Sequence, residues 1–296
     1  MTRYRALLDA LAAPRLLGTP QHAATRELLK RELALRGFVV MEHRFAAAAR
    51  FPLRSRAAGD GVNLIAVRPR VRVATWLTAH YDSKGQPLSM LGRLLLVAAS
   101  LAMVPAVALM TRAGASPWTW LALFALPALF LALNVATDRS PGAVDNASGV
   151  LTVLAALDLL PPEAPVGAIL LDAEELGLAG ARALVGERAN LLHDTAVINF
   201  DGIDDRGPTV VFGHRPGAVT AAVVAALGVP VRRLLPVVVD GLALAAAARE
   251  CVTIMKWNRQ TMRIVHTPRD GPDRLTLTGV DEVARAVADS LAPHSR

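Results

Sequence analysis

Leu170-Leu171-Asp172-Ala173-Glu174-Glu175-Leu176-Gly177 sets three carboxylates within four residues at the end of an apolar run and closes them with a glycine. A short apolar run bounded by breakers reads as a buried strand. Acids crowded at its end repel one another and lose solvation. Something positive must compensate them, and a metal ion is the simplest candidate. The pattern recurs along the chain: His80 and Asp82, Glu174 and Glu175, Asp201, and His266 all stand at or just beyond apolar, strand-like runs. Asp145 lies in a glycine-bounded loop that opens a helix. In open α/β sheets, ligands gather at the carboxyl ends of the strands. Singly, each residue has an ordinary structural use; Asp145 could cap its helix, and Asp201 could stabilise its own turn with Gly202. Together they outline one site.

The elements that would position these residues alternate. Thr19-Pro20 predicts the start of a helix that Gly37 closes, and a strand follows at 38–40. Residues 46–60 have no clear period. Strands are expected over 62–67 and 71–77, the second running into His80, and again over 166–171, 196–200, 237–239 and 252–255. Helices are expected after Gly149, around 181–184, over 218–227, in the Ala-rich stretch after Asp240, and from a cap at Thr278. This order predicts an α/β fold: a mixed, largely parallel central sheet with helices on both faces.

Composition narrows the class. The 296 residues are 53% hydrophobic but only 4% aromatic, so Ala, Leu and Val dominate. The net charge of +7 is carried almost wholly by arginines that occur mostly singly rather than in runs interleaved with aromatics. Nucleic-acid binding is therefore not expected, and attraction to an anionic membrane surface is the better use of that charge. The single cysteine, Cys251, leaves no internal disulfide and fits a reducing compartment. The N-terminal residues carry no signal-peptide pattern.

Residues 94–111 and 113–137 are two uncharged stretches of 18 and 25 residues. Eighteen helical residues span roughly 27 Å, close to a bilayer's hydrocarbon core. Trp118 and Trp120 stand where interfacial aromatics belong, and residues 112–117 suffice for a tight turn. The reading is a transmembrane helical hairpin that contacts the bilayer through residues 94–137. Lys84, Arg93 and Arg139 at its outer ends, against Arg112 in the turn, place the main domain on the cytoplasmic side of the cell membrane. The hairpin, residues 90–137, would interrupt one discontinuous domain made of residues 1–89 and 138–296.

The segments Ala79-His-Tyr-Asp-Ser83, Gly142-Ala-Val-Asp-Asn-Ala-Ser-Gly149, Glu174-Glu-Leu-Gly-Leu-Ala-Gly180, Asn199-Phe-Asp201 and His266-Thr-Pro-Arg-Asp270 occur in this order. So ordered, the chain resembles the cocatalytic di-zinc aminopeptidase family, which includes bacterial leucyl aminopeptidases, glutamate carboxypeptidase and, more distantly, glutaminyl cyclases. The resemblance implies a zinc-exopeptidase fold with two Zn²⁺ bridged by Asp145. His80 and Asp201 would complete one ion's ligands, and Glu175 and His266 the other's. Asp82 would fix the tautomer of His80, and Glu174 would be the general base that activates water and protonates the leaving amine. The implied reaction is removal of an N-terminal residue from a peptide substrate by a membrane-anchored enzyme.

Two features depart from the family pattern. Sixty-two residues separate Asp82 from Asp145 where family members usually have fewer than twenty, and the excess is about the length of the hairpin. His80-Tyr-Asp-Ser-Lys84 also resembles glutaminyl cyclases, where one zinc suffices. The alternatives are thus a glutaminyl-cyclase-like acyltransferase and a non-catalytic membrane protein on a peptidase scaffold. Side-chain preference and oligomeric state are not legible.

Overall fold

Four runs, Thr75–His80, Val166–Leu171, Ala196–Ile203 and Glu250–Lys256, are buried along their whole length. Burial on both sides is what a central parallel sheet demands of its strands. The computed structural model describes residues 2–55, 57–112, 114, 117–234 and 237–292. Its strands are β1 (Val39–Ala48), β2 (Ala58–Val67), β3 (Thr75–His80), β4 (Val166–Leu171), β5 (Ala196–Ile203), β6 (Thr209–Arg215), β7 (Val231–Arg232) and β8 (Glu250–Lys256). They form one sheet in the order β1-β2-β4-β3-β5-β8-β6-β7. The central β4, β3, β5 and β8 run parallel. β1 with β2, β2 with β4, and β6 with β8 pair antiparallel.

The helices are α1 (Thr2–Leu11), α2 (Pro20–Leu35), α3 (Met90–Arg112), α4 (Pro117–Leu133), α5 (Ser148–Leu159), α6 (Ala179–Arg188), α7 (Ala218–Leu227), α8 (Asp240–Leu244), α9 (Arg259–Ile264) and α10 (Thr278–Leu291). Strand residues alternate between two faces, and the core divides accordingly. Leu77, Ala79, Leu170, Ile198 and Val252 pack with Leu151 and Val283 of α5 and α10. Trp76, Ile169, Leu171 and Val197 pack against Leu184 and Leu244 of α6 and α8 on the other side. The sheet with helices on both faces agrees with expectation.

Local differences have local causes. The patternless stretch 46–60 contains the end of β1 and the start of β2, a hairpin of Ala, Gly and Arg with little hydrophobic contrast. The run at 71–77 is strand only from Thr75, and Val237–Val239 is extended backbone leading into α8 rather than a strand. Thr19 caps α2, its side chain accepting from the His22 amide. At α10 the cap position belongs to Leu277 rather than Thr278.

The transmembrane hairpin is not borne out. Among the described residues no helix is both long and apolar enough to cross a membrane, so the expected bilayer contact through residues 94–137 loses its basis. α4 has 17 residues, about 26 Å of helix against a core of roughly 30 Å. α3 is longer, but its first turns are spent on a cleft: Met90, Arg93, Leu94 and Val97 line it. The base of the pair is tied to the sheet's loops. Gly85 bridges Thr137, the Gln86 side-chain amide donates to Asn134 at 2.7 Å, and the Gln86 backbone N–H donates to the His266 carbonyl. Leu101 and Leu109 of α3 are exposed. In the expected tight turn, Ala113, Ala115 and Ser116 lie outside the described residues, as does the side chain of Trp120.

Arg15 straps the loops beneath the sheet's carboxyl end. It is fully buried and donates to the carbonyls of Leu11, Tyr81, Pro141 and Gly142. Burial lowers its pKa, and the charges of Asp82, Asp270, Asp145 and Glu175 act in the opposite sense. Replacing it strands several buried carbonyls, each worth about 1–3 kcal/mol. Arg15→Met is expected to destabilise the protein by at least about 3 kcal/mol in urea unfolding; a loss under about 1 kcal/mol would remove its role as a strap.

Candidate metal centre

His80 is the last residue of β3, and Asp82, two residues on, stays on the same side of the chain as the period of two requires. The Asp82 carboxylate lies 3.3 Å from His80 Nδ1 and accepts the backbone N–H groups of Glu174 and Glu175, both at 3.1 Å. One buried acid thus holds the turn that follows β4 and stands beside a histidine from β3. That turn, Glu174–Leu176, is entered through Ala173 in the left-handed region and left through Gly177 at φ 95°. Asp172, the first acid of the cluster, turns away from the others. It binds His22 Nε2 at 2.7 Å, the Tyr81 hydroxyl and the Val62 amide, and is structural.

Asp145 sits in the loop between Gly142 and α5. Gly142 has φ 60°, and a Cβ there would meet the Asp145 carbonyl at 2.4 Å, so the turn requires glycine. Asp270 accepts the amides of Val144 and Asp145 at 2.8 and 3.2 Å. Asn146 donates to the Phe200 carbonyl and accepts the Gly202 amide, which ties this loop to the register shift of β5 that contains Asp201. A bulge of this kind re-aims a side chain. His266 adopts φ 65°, rare for a residue with a Cβ, and its carbonyl is held by Gln86.

These loops converge. His80, Asp145 and Asp201 form one group able to hold a metal ion; Asp145, Glu175 and His266 form a second, and all five are buried. Asp145 belongs to both. Its Oδ1 lies 3.1 Å from His80 Nε2 and its Oδ2 lies 2.9 Å from His266 Nε2. His266 Nε2 is also 3.2 Å from Glu175, and Glu174 approaches His80 Nε2 at 4.0 Å. Both ring nitrogens of His80 are buried without a well-formed hydrogen bond. Nitrogen and carboxylate donors converging in two groups of three, with one carboxylate shared, fit a two-zinc centre.

Burial and neighbours drive the acids apart. Desolvation raises Glu174 well above the ordinary carboxylate range, and Glu175, Asp240 and Asp201 add to it against the pull of His80. Burial also acts upward on Glu175, but His266 and Lys84 outweigh it and hold that carboxyl at about 2. Lys84 Nζ is 2.6 Å from it. Asp145 is held well below its usual value by His266 and His80, which outweigh its burial, and burial pushes Asp201 up to about 7. His80 is raised because the charges of Glu174, Asp145 and Asp82 overcome its desolvation.

Three further groups belong to the site and were not singled out from sequence. Asp240 opens α8, is buried, and neither oxygen has a hydrogen-bond partner among the described residues; burial raises it well above the usual range. Its signal was the one used for the others, an acid at the end of an apolar run. Asp270 works through backbone amides, which no spacing reveals. Arg93 contacts His266 Nδ1 from α3, a meeting across 173 residues.

The model of peptidase family M28 matches residues 63–291. No curated protein matches the chain. Among solved structures, the zinc aminopeptidase BSAP from Bacillus subtilis is similar with a TM-score of 0.64 at 13% identity, covering 100% of this chain and 96% of that one. A glutaminyl cyclase from Porphyromonas gingivalis gives 0.63 at 18% identity, covering 97% and 96%. A Zn-dependent exopeptidase from Parabacteroides distasonis gives 0.64 at 15%, covering 99% and 97%. At such identities the likeness establishes the fold.

The acid–base pattern has a consequence for the metal-free protein. A carboxyl raised on folding, such as Asp201, stabilises the fold below its unfolded value near 3.8 and loses that contribution as pH climbs to about 7. Glu174 and Asp240 act in the same direction, and so does His80, whose raised value is a loss as pH rises. Asp145 and Glu175 have the opposite sign and lose their contribution only as pH falls below about 4. Chelated protein is therefore expected to weaken in urea between about pH 4 and 7. Asp201→Asn should flatten that decline, by about 1.4 kcal/mol for each pH unit between the folded and unfolded values of the carboxyl. Stability that rises over this interval would contradict the charge assignment.

Proposed function

The chain belongs to peptidase family M28, and from that premise we propose that it is a zinc-dependent aminopeptidase whose general base is Glu174. The observation that carries the reading is the pair of three-residue groups sharing Asp145, with Glu174 beside them. His80, Asp145 and Asp201 would hold one zinc, and Asp145, Glu175 and His266 the other. When bound, the two ions supply Lewis acidity, polarising the scissile carbonyl and acidifying the attacking water.

The chain's own residues do the rest. Adjacent carboxyl groups whose environments push their affinities for protons apart divide into separate roles. Glu175, held low by His266 and Lys84, stays ionised and suits a ligand. Glu174, which burial raises against the pull of His80 4.0 Å away, suits a group that takes a proton from water and delivers it to the leaving amine. Asp82 positions both by holding the amides of Glu174 and Glu175, and it orients His80.

A second reading is supported by Asp201 and Asp240. Both are buried acids raised above their usual range, and Asp240 has no hydrogen-bond partner among the described residues. With only the Asp145–Glu175–His266 group filled, these two would remain proton carriers, the arrangement a glutaminyl-cyclase-like acyl transfer would use to pass protons to departing ammonia.

Metal analysis separates the two: the aminopeptidase reading expects two zinc per chain and hydrolysis of aminoacyl amides, whereas the cyclase reading expects one zinc and ammonia released from N-terminal Gln peptides. Glu174→Gln is expected to lower kcat by about 10²–10⁴-fold while zinc content stays unchanged. A variant that keeps its full rate would remove Glu174 as the base.

A further inference from the structure

The cleft above the metal centre has a volume of about 530 Å³, room for a short peptide. Its acids lie at the floor: Asp145, Glu174, Glu175 and Asp201. The remaining charged groups among its described lining residues are all cations, Arg50, Lys84, Arg93 and Arg182. Arg50 and Arg182 are exposed at the mouth, and Lys84 is committed to Glu175. Arg93 is different. It is partly buried, Met90, Leu94 and Val97 of its own helix line the cleft beside it, its Nε has no hydrogen-bond partner among the described residues, and an Nη reaches His266 Nδ1.

That last contact exists in only one proton arrangement. A guanidinium donates and cannot accept, so Nδ1 must accept and the ring proton must sit on Nε2, which faces Asp145 at 2.9 Å and Glu175 at 3.2 Å. Were Nε2 to serve as a zinc ligand, Nδ1 would carry the ring proton and the contact with Arg93 would lack an acceptor. Arg93 would then be a partly buried cation lining the cleft above the acids of its floor, beside Met90, Leu94 and Val97. Its planar fork matches a carboxylate with two parallel hydrogen bonds.

We propose that Arg93 receives a carboxylate of the substrate, making the cleft selective for short peptides that carry a free C-terminus or an acidic side chain near the scissile bond. The proposal rests on the peptide-hydrolase reading for the position of the substrate. It assigns to the first turn of α3 a part in specificity that hydropathy alone does not suggest.

The test compares Leu-Leu, Leu-Leu-amide and Leu-Glu-amide. Their binding is measured by calorimetry on zinc-loaded Glu174→Gln protein, and their hydrolysis on zinc-loaded protein with Glu174 intact, each with and without Arg93→Met. At least one carboxylate-bearing peptide should bind about 10–100-fold tighter than Leu-Leu-amide, and Arg93→Met should erase that difference. Whether Leu-Leu or Leu-Glu-amide carries the advantage tells a C-terminal from a side-chain carboxylate. Zinc affinity should change less than about twofold, because the contact with His266 belongs to the metal-free arrangement. Equal binding of all three peptides, uniform weakening in Arg93→Met, or a zinc affinity reduced about tenfold, as expected of a mere support for His266, would overturn it. A binding difference without hydrolysis would remove the peptidase reading and leave the carboxylate site standing. Hydrolysis without carboxylate preference would remove this proposal alone.

Discussion

Six buried carboxyl groups, Asp82, Asp145, Glu174, Glu175, Asp201 and Asp240, crowd the carboxyl end of the sheet, and their mutual repulsion is the constraint the surrounding structure answers. Like charges in a dry pocket do not assemble themselves. They are held in place by neutral groups instead. Asp82 grips two backbone amides, Asp270 grips the amides of Val144 and Asp145, and Asn146 bridges the Asp145 loop to β5. Behind these bonds stand four strands buried on both faces. Their apolar packing is what the repulsion must work against. Lys84 and His80 return only part of the missing positive charge, and two divalent ions would supply the remainder.

That constraint explains what was legible in the sequence. An acid or histidine directly after an apolar run has few structural reasons to be there. His80, Glu174, Glu175, Asp201 and His266 could therefore be gathered as candidates for one site, with Asp145 added from its glycine-bounded loop, and the structure brings them together. The central strands were readable because short continuous runs of Val, Ile, Leu and Ala between breakers fit strands buried on both faces. The edges were not. β1 and β2 meet in a stretch of Ala, Gly and Arg where neither period stands out, and the two residues of β7 are too few to carry a pattern.

The misreading of residues 90–137 has a physical origin too. Hydropathy reports that a segment is apolar, not what its polar ends are doing. Arg93 read as a flanking residue of the first span and Asn134 fell inside the second, whereas in the fold they face the cleft, one against His266 and the other against Gln86. Asp240 and Arg93 escaped for a related reason. Each matters through the group it meets, and those meetings are created by tertiary structure, across 173 residues in the case of Arg93 and His266.

Glu174 and Glu175 show how far local sequence underdetermines chemistry. The two are identical, adjacent and both buried, and their amides are held by the same Asp82 carboxylate. What separates them is direction. The turn sends Glu175 toward Lys84 and His266, which hold its carboxyl low, and leaves Glu174 4.0 Å from His80, where burial and the charges of Glu175, Asp240 and Asp201 raise it against that histidine's pull. A strand ending in a tight turn, entered through a left-handed Ala173, is enough to give one repeated residue two different proton affinities, on which the separate roles proposed for Glu174 and Glu175 rest. The division of labour is therefore a property of the turn and of the neighbours it selects, and exchanging the environments, not the residues, would exchange the roles.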